Sequence, residues 1–190
     1  MARFDRKYWR RCTLPMGGDA NAAVEFALGA PFLLGIVVIL LELSMMLTTR
    51  LTLEGALRRA VTVGTVSGLE DAERSTRVRA AFDAELGALV AAEDVVFEQM
   101  IYDDLGSVGM AEPFVDSNGS GERDPGEAFT DLNGNDRWDD DRGRPGAGGA
   151  EDIVRYRVRY PWRPMVSLVE ALLPNGYLQI DLSQTVRNEP

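Results

Sequence analysis

The sequence predicts an α+β protein: a long N-terminal membrane helix, then a small head built from a second helix and an antiparallel sheet, with acidic cation-type loops inserted. Three observations predict it. Ala22 to Leu47 is a run of 26 residues in which only Glu25 and Glu42 are charged. Two later stretches alternate apolar and polar residues with a period of two, the signature of half-buried strands. Between helix and strands, residues 112–141 hold ten acids against Arg123 and Arg137, a net charge of −8.

The first element is a basic leader, residues 1–20. It carries Arg3, Arg6, Lys7, Arg10 and Arg11 against Asp5. Positive residues stay on the cytoplasmic side, so the N-terminus is expected inside and the rest of the chain exported. The hydrophobic helix is expected over 21–62, with about 22–47 in the bilayer, since a hydrocarbon core takes roughly 20 apolar helical residues. Glu25 and Glu42 stand about 25 Å apart at 1.5 Å per residue. Glu42 is then near one headgroup layer and Glu25 slightly inside the other. A carboxylate at depth costs roughly 2.5–3.5 kcal/mol, so Glu25 either snorkels or waits for a positive partner. No small-residue cleavage site follows the run, and Cys12 lies in no lipobox. Pro31 lacks a donor and is expected to bend the helix. Leu47, Leu51 and Leu57 carry the helical period on to about Ala60.

The head is expected over 63–190. Leu69 to Ala92 reads as its helix, with Val78, Phe82, Leu86 and Leu89 as the apolar stripe and Glu70–Arg74 and Glu73–Arg77 as pairs on the wet side. Val95 to Tyr102 reads as a strand. "DIVRYRVRYPW" puts Val154, Tyr156, Val158 and Tyr160 on one face and Arg155, Arg157 and Arg159 on the other. That arginine row is either a docking surface or, as more often, a solvated face. "MVSLVEALL" reads as a short helix stopped by Pro174, Asn175 and Gly176, and "YLQIDLSQTVR" as a strand with Leu178, Ile180 and Leu182 inward.

The acidic insertion, 112–143, has calcium-loop spacing. In "DSNGSGERDPGE", Asp116, Asn118, Ser120, Asp124 and Glu127 stand at positions 1, 3, 5, 9 and 12, with Gly121 at the turn. Alternate oxygens curl round one ion and the terminal glutamate binds with both oxygens, while position 7, here Glu122, offers its backbone carbonyl. A weaker copy, "DLNGNDRWDDDR", supplies Asp131, Asn133, Asn135, Arg137 and Asp139. Asp136 replaces the glycine and Arg142 the glutamate, leaving Asp140 or Asp141 as substitutes. One or two Ca2+ ions are therefore expected, in a structural site that orders a loop. The alternative is a disordered acidic loop.

Composition narrows the function. The chain has 190 residues, no histidine, one cysteine and a net charge of −10. Without histidine there is no Ser-His or Cys-His nucleophile and no His-liganded zinc. No Gly-rich phosphate loop appears, and the acidity argues against nucleic-acid binding. The expectation is a protein that is not an enzyme.

A basic leader, "GGDAN", and a glutamate five residues into an apolar helix together resemble a type IV prepilin. "NAAVEFALGAP" resembles more narrowly the TadE-like (TadE/TadF) pilus assembly proteins of the Tad (Flp) system, and "TVRNEP" looks like the end of that family. The resemblance implies a pilin-like fold and cleavage by a prepilin peptidase between Ala20 and Asn21, although glycine is usual where Ala20 stands. It implies that Glu25 neutralises an N-terminal ammonium, its own or a neighbour's. The protein would then be a minor pilin or pseudopilin in assembly of an adherence pilus, single-pass in the inner membrane or carried into the extracellular pilus. Its partners would be other pilin subunits and the Tad inner-membrane machinery. The rival reading is an uncleaved, membrane-anchored, calcium-dependent exported binding module.

Overall fold

The computed structural model describes residues 19–66 and 68–190. The basic leader up to residue 18, with Cys12, lies outside them. The chain divides into two compact units, residues 1–43 and 44–190.

In the first unit the described residues are helix. α1 runs Asp19–Gly64, 46 residues with Pro31 inside it. Its apolar side chains before residue 44 are exposed all round: Phe26, Leu28, Phe32, Leu33, Ile36 and Leu40 among them. A helix apolar on every side, and unburied along its most apolar stretch, fits a lipid environment. It is the one helix among the described residues long and apolar enough to cross a membrane. It fits a single-pass anchor.

The second unit begins within the same helix, at Ser44. Here α1 becomes one-sided, burying Leu53, Ala56, Leu57, Ala60 and Val61. Their spacing is the helical period, so a single stripe faces the core. α2, Asp71–Ala84, adds Val78 and Phe82. Both pack on a four-stranded sheet in the order β2–β1–β3–β4. The strands are β1 Val96–Tyr102, β2 Arg144–Pro145, β3 Ile153–Trp162 and β4 Leu178–Arg187. All pairs are antiparallel, with Tyr156 opposite Gln99 and Gln184.

β3 alternates as its sequence does. Val154, Tyr156, Val158, Tyr160 and Trp162 are buried. Phe97 stacks between Phe82, at 4.5 Å, and Tyr156, at 6.3 Å. The arginines on the other face are neither free nor merely solvated. Arg157 pairs with Asp181 and Arg159 with Glu98, opposite charges set across neighbouring strands, and Arg155 pairs with Asp141 of the acidic segment. The Arg157 bond is the chief reason the Asp181 carboxyl titrates below the usual carboxylate range.

Three local expectations change. α2 ends at Ala84, not Ala92. Gly87 weakens the helix there, and the turn that follows lets Val90 into the core while Leu89 points out. Arg74 is not on the wet side. It is buried, donating to the carbonyls of Gly64, Val66 and Leu69, and so satisfies the last carbonyl of α1 and two of the connection that follows it. The Glu73–Arg77 pair forms as expected, at 2.6 Å. At the start of β4, Leu178 is 38% exposed while Ile180 is buried. Between β3 and β4, α3 is one turn, Ser167–Glu170.

Candidate functional site

Two regions carry the residues singled out by the sequence. The first is the start of α1. Asn21 and Glu25 lie one turn apart on one face, and the Asn21 side-chain amide donates to Glu25 Oε1 at 3.2 Å. Residues four apart are helix-surface neighbours. Any ammonium created at Asn21 therefore starts within reach of the Glu25 carboxylate. Ala20 lies inside the first turn, since the helix begins at Asp19.

The second region is the acidic insertion, and it is an ordered pair of loops rather than a loose strand. Phe114 and Phe129 form an antiparallel bridge, backed by Val115 N–H to Ala128 O at 2.8 Å and Thr130 N–H to Pro113 O at 2.8 Å. That bridge closes the first loop where a helix pair closes an EF-hand. A small aromatic cluster ties the loops together: Phe114 meets Trp138 edge-on at 6.1 Å, and the Arg123 guanidinium lies over Phe129 and Trp138.

Inside the first loop, Asp116 Oδ1 accepts from the N–H groups of Gly119 at 2.7 Å and Ser120 at 3.1 Å, and Oδ2 from Gly121 at 2.9 Å. These donors, Gly121 foremost, hold its carboxyl below the usual range. Asn118 reaches Asp124 at 2.6 Å, and Ser120 Oγ reaches both the Glu122 carbonyl at 2.8 Å and Asp124 at 3.4 Å. Glu127 closes the ring, accepting from the N–H of Ser117 at 2.8 Å and of Asp124 at 3.0 Å. Side chains at positions 1, 3, 5 and 9 thus converge with the position-7 carbonyl.

The second loop repeats this pattern. Asp131 accepts from Gly134 at 2.6 Å, Asn135 at 3.3 Å and Asp136 at 2.8 Å, and Asp136 chiefly keeps its carboxyl low. Asn133 and Asn135 both donate to Asp139, at 2.7 and 2.6 Å. Arg137, at the carbonyl position, gives its N–H to Asn135 Oδ1 at 2.7 Å. Asp136 has φ +60° where Gly121 has φ +80°, so the aspartate takes the left-handed turn that glycine takes more cheaply.

The missing glutamate of the second loop is Glu112, which sequence reading did not pick. Its Oε1 accepts from Leu132 N–H at 2.7 Å and Oε2 from Asp139 N–H at 3.2 Å. These are positions 2 and 9 of the second loop, the two positions that Glu127 holds in the first. Glu112 lies 19 residues before the loop begins, so spacing within the loop carries no signal for it. It is 1% exposed. Asp141, one of the two expected substitutes, is occupied elsewhere: it accepts from the Tyr102 hydroxyl at 2.7 Å and pairs with Arg155. That bond and burial raise the Tyr102 hydroxyl well above its ordinary value, burial being the larger cause.

The oxygens present fit a hard cation such as calcium, which takes carboxylate, amide, hydroxyl and carbonyl oxygens together. They are mixed in kind. Among the described residues no three His, Cys, Asp or Glu side chains gather as a metal-holding group.

The C-terminus has a structural role. Asn188 is buried, donating to the carbonyls of Ala147 at 2.9 Å and Gly149 at 2.8 Å. Asp71 receives the N–H groups of Ala147 at 2.7 Å and Gly148 at 2.8 Å from the other side. Together they pin the return from the acidic loops to β3.

No curated protein and no solved structure matches the chain. The model of the TadE-like protein family matches residues 21–62. The acidic loops and the C-terminal "TVRNEP" lie outside that match. The match falls on the greater part of α1, and over this helix the chain is similar to the TadE-like proteins.

Proposed function

We propose that this chain is a minor pilin or pseudopilin that takes part in assembly of a Tad-type pilus used for adherence. The observation that carries the reading is Glu25 at the fifth position of an apolar helix that matches the TadE-like family. The match speaks for the pilus system; the role within it rests on the helix chemistry. A prepilin peptidase cuts between Ala20 and Asn21 on the cytoplasmic side. The new ammonium and Glu25 then pair, which makes two charges in lipid far cheaper than one. Helices pack side by side as the subunit leaves lipid for neighbouring pilins. The head is exported and has no enzymatic task.

Within the head, Asp116, Asn118, Ser120, Asp124 and Glu127, with the Glu122 carbonyl, would hold one calcium ion. Asp131, Asn133, Asn135 and Asp139, with the Arg137 carbonyl and Glu112, would hold a second. Bound calcium supplies positive charge to a segment of net −8. The residues keep their loops closed around it through the backbone bonds to Asp116, Asp131, Glu112 and Glu127.

One observation favours the rival reading of an uncleaved, calcium-dependent binding module. The Ala20–Asn21 bond sits within the first turn of a helix, and a peptidase needs the backbone at its cut extended. Mass spectrometry of the N-terminus separates the two. A terminus at Asn21, in cells with the cognate peptidase, is expected; an intact Met1 or Ala2 terminus there returns the chain to the rival.

A further inference from the structure

The head is polarised along its strands. Gly64, the end of α1, lies against Tyr156, and Glu189 N–H reaches the Thr65 carbonyl at 3.2 Å. One turn and more back, Leu57 and Arg58 border a surface hollow with Leu182 and Ser183, which pair near Val158 and Arg157. α1 therefore runs antiparallel to β3. From Tyr156 to Trp162 is about 20 Å of strand at ~3.3 Å per residue. The same length is about 13 residues of helix at 1.5 Å each. Trp162 thus comes level with about residue 51 of α1, and the β3–β4 connection lies level with the residues before it. Those are residues 44–50, where the head joins the apolar run.

The two ends of the sheet differ in chemistry. The connection from β1 to β3, at the far end, contains the segment of net −8. At the near end, α3 and its flanks divide into two faces. Val169 and Leu173 are half-buried. Leu168 and Leu172 are 74% and 77% exposed, and Met165, just before the turn, is 72% exposed. Leu168 and Leu172 stand four apart on this turn, which the Ala171 and Leu172 N–H bonds continue, and so share one apolar face. Leu47 and Leu51 of α1, also exposed, stand at this end. Arg163 is at its rim, ion-paired with Asp94 at 3.3 Å.

We propose that the β3–β4 connection is a membrane-surface foot: Leu168 and Leu172, with Met165, dip into the headgroup–acyl boundary on the side where α1 leaves the bilayer. An apolar face lying in the interface is stabilised by burial of its side chains. The acidic loops at the other end are held away from anionic headgroups. The foot rests on the reading of α1 as a membrane anchor. It fixes the head to the bilayer until the subunit is extracted.

The test is spin labelling of the full chain in phosphatidylethanolamine–phosphatidylglycerol vesicles. Single cysteines replace Leu168, Leu172, Val115 or Ile36 in a Cys12→Ser background. Collision with oxygen, which favours lipid, is compared with collision with a water-soluble nickel chelate. Labels at Leu168 and Leu172 are expected to favour oxygen several-fold over the label at Val115, an exposed residue of the acidic loops. A label at Ile36 reports the anchor alone. If Ile36 favours oxygen while Leu168 and Leu172 match Val115, the foot is wrong and the anchor stands. If Ile36 too meets mainly nickel, the anchor reading falls as well. Labels at Leu168 and Leu172 shielded from both reagents would also overturn the proposal, in favour of a protein partner on this face.

Discussion

Tyr156 sits at the centre of the head, with its ring buried against Phe97 and its hydroxyl against Gly64. Among the described residues that hydroxyl has no hydrogen-bond partner. Burial pushes it from 10.0 up to about 12. A pKa raised in the folded state means stability that is whole below pH 10 and lost as pH rises through about 12. Tyr156→Phe removes a buried polar group that nothing satisfies. It is expected to leave the head as stable or more stable by about 1 kcal/mol, and to blunt its alkaline unfolding, read by circular dichroism between pH 9 and 12. A loss of more than about 2 kcal/mol would mean that the hydroxyl has a partner in solution. Arg74 is the opposite case, a buried charge with three carbonyl acceptors. Arg74→Ala leaves those carbonyls unsatisfied and is expected to cost about 3 kcal/mol or more by urea melting. Arg74→Lys should recover only part, because an ammonium lacks the planar fork. Full recovery by lysine would show that charge alone matters at this site.

At the scale of elements, the paired acidic loops make a prediction that separates their two glutamates. Calcium that binds only the folded head stabilises it by mass action, on the order of 1.4 kcal/mol for a Kd near 10⁻⁴ M and ~10⁻³ M ion. Glu127→Gln should weaken one site and leave the other. Glu112→Gln should weaken the second and also lower stability without calcium, because Glu112 is buried and Glu127 is not. Calorimetry and thermal melting of each variant, with calcium and with chelator, read both effects. Equal behaviour of the two variants would deny Glu112 its place in the second loop; no heat and no shift in the parent protein would leave the segment an acidic linker. α2 teaches a related lesson about elements. Its apolar stripe runs on past Ala84 in the sequence, yet the helix stops, since burying Val90 and Val95 beside α1 outweighs the propensity to continue.

At the scale of the whole molecule, Glu25 is the hinge of the functional reading. Glu25→Gln keeps size and removes charge, so it inserts at least as well as the parent. If the carboxylate pairs with an ammonium during assembly, piliation should fall while the amount of protein in the membrane holds. Electron microscopy of surface pili beside membrane immunoblots measures the two. Normal piliation would remove the pairing from the mechanism and leave Glu25 a snorkelling residue.

The sequence by itself determined the parts whose physics is local. A run of 26 residues with two charges fits a helix in lipid, because a chain in hydrocarbon must satisfy its backbone within itself. The strict alternation of β3 set which side chains point inward, since a strand turns over at every residue. The oxygens of Asp116, Asn118, Ser120 and Asp124 were legible because neighbours in sequence form the loop. The tertiary structure decided what depends on residues far apart in the chain. Glu112 completes a loop that begins 19 residues later, Arg74 binds the last carbonyl of a helix to which it does not belong, and Asp141 turns away to Tyr102 and Arg155. A short polar side chain finds its partner wherever folding leaves an unsatisfied donor or acceptor. Where that happens is set by the packing of α1 and α2 on the sheet, and no spacing within one segment encodes it.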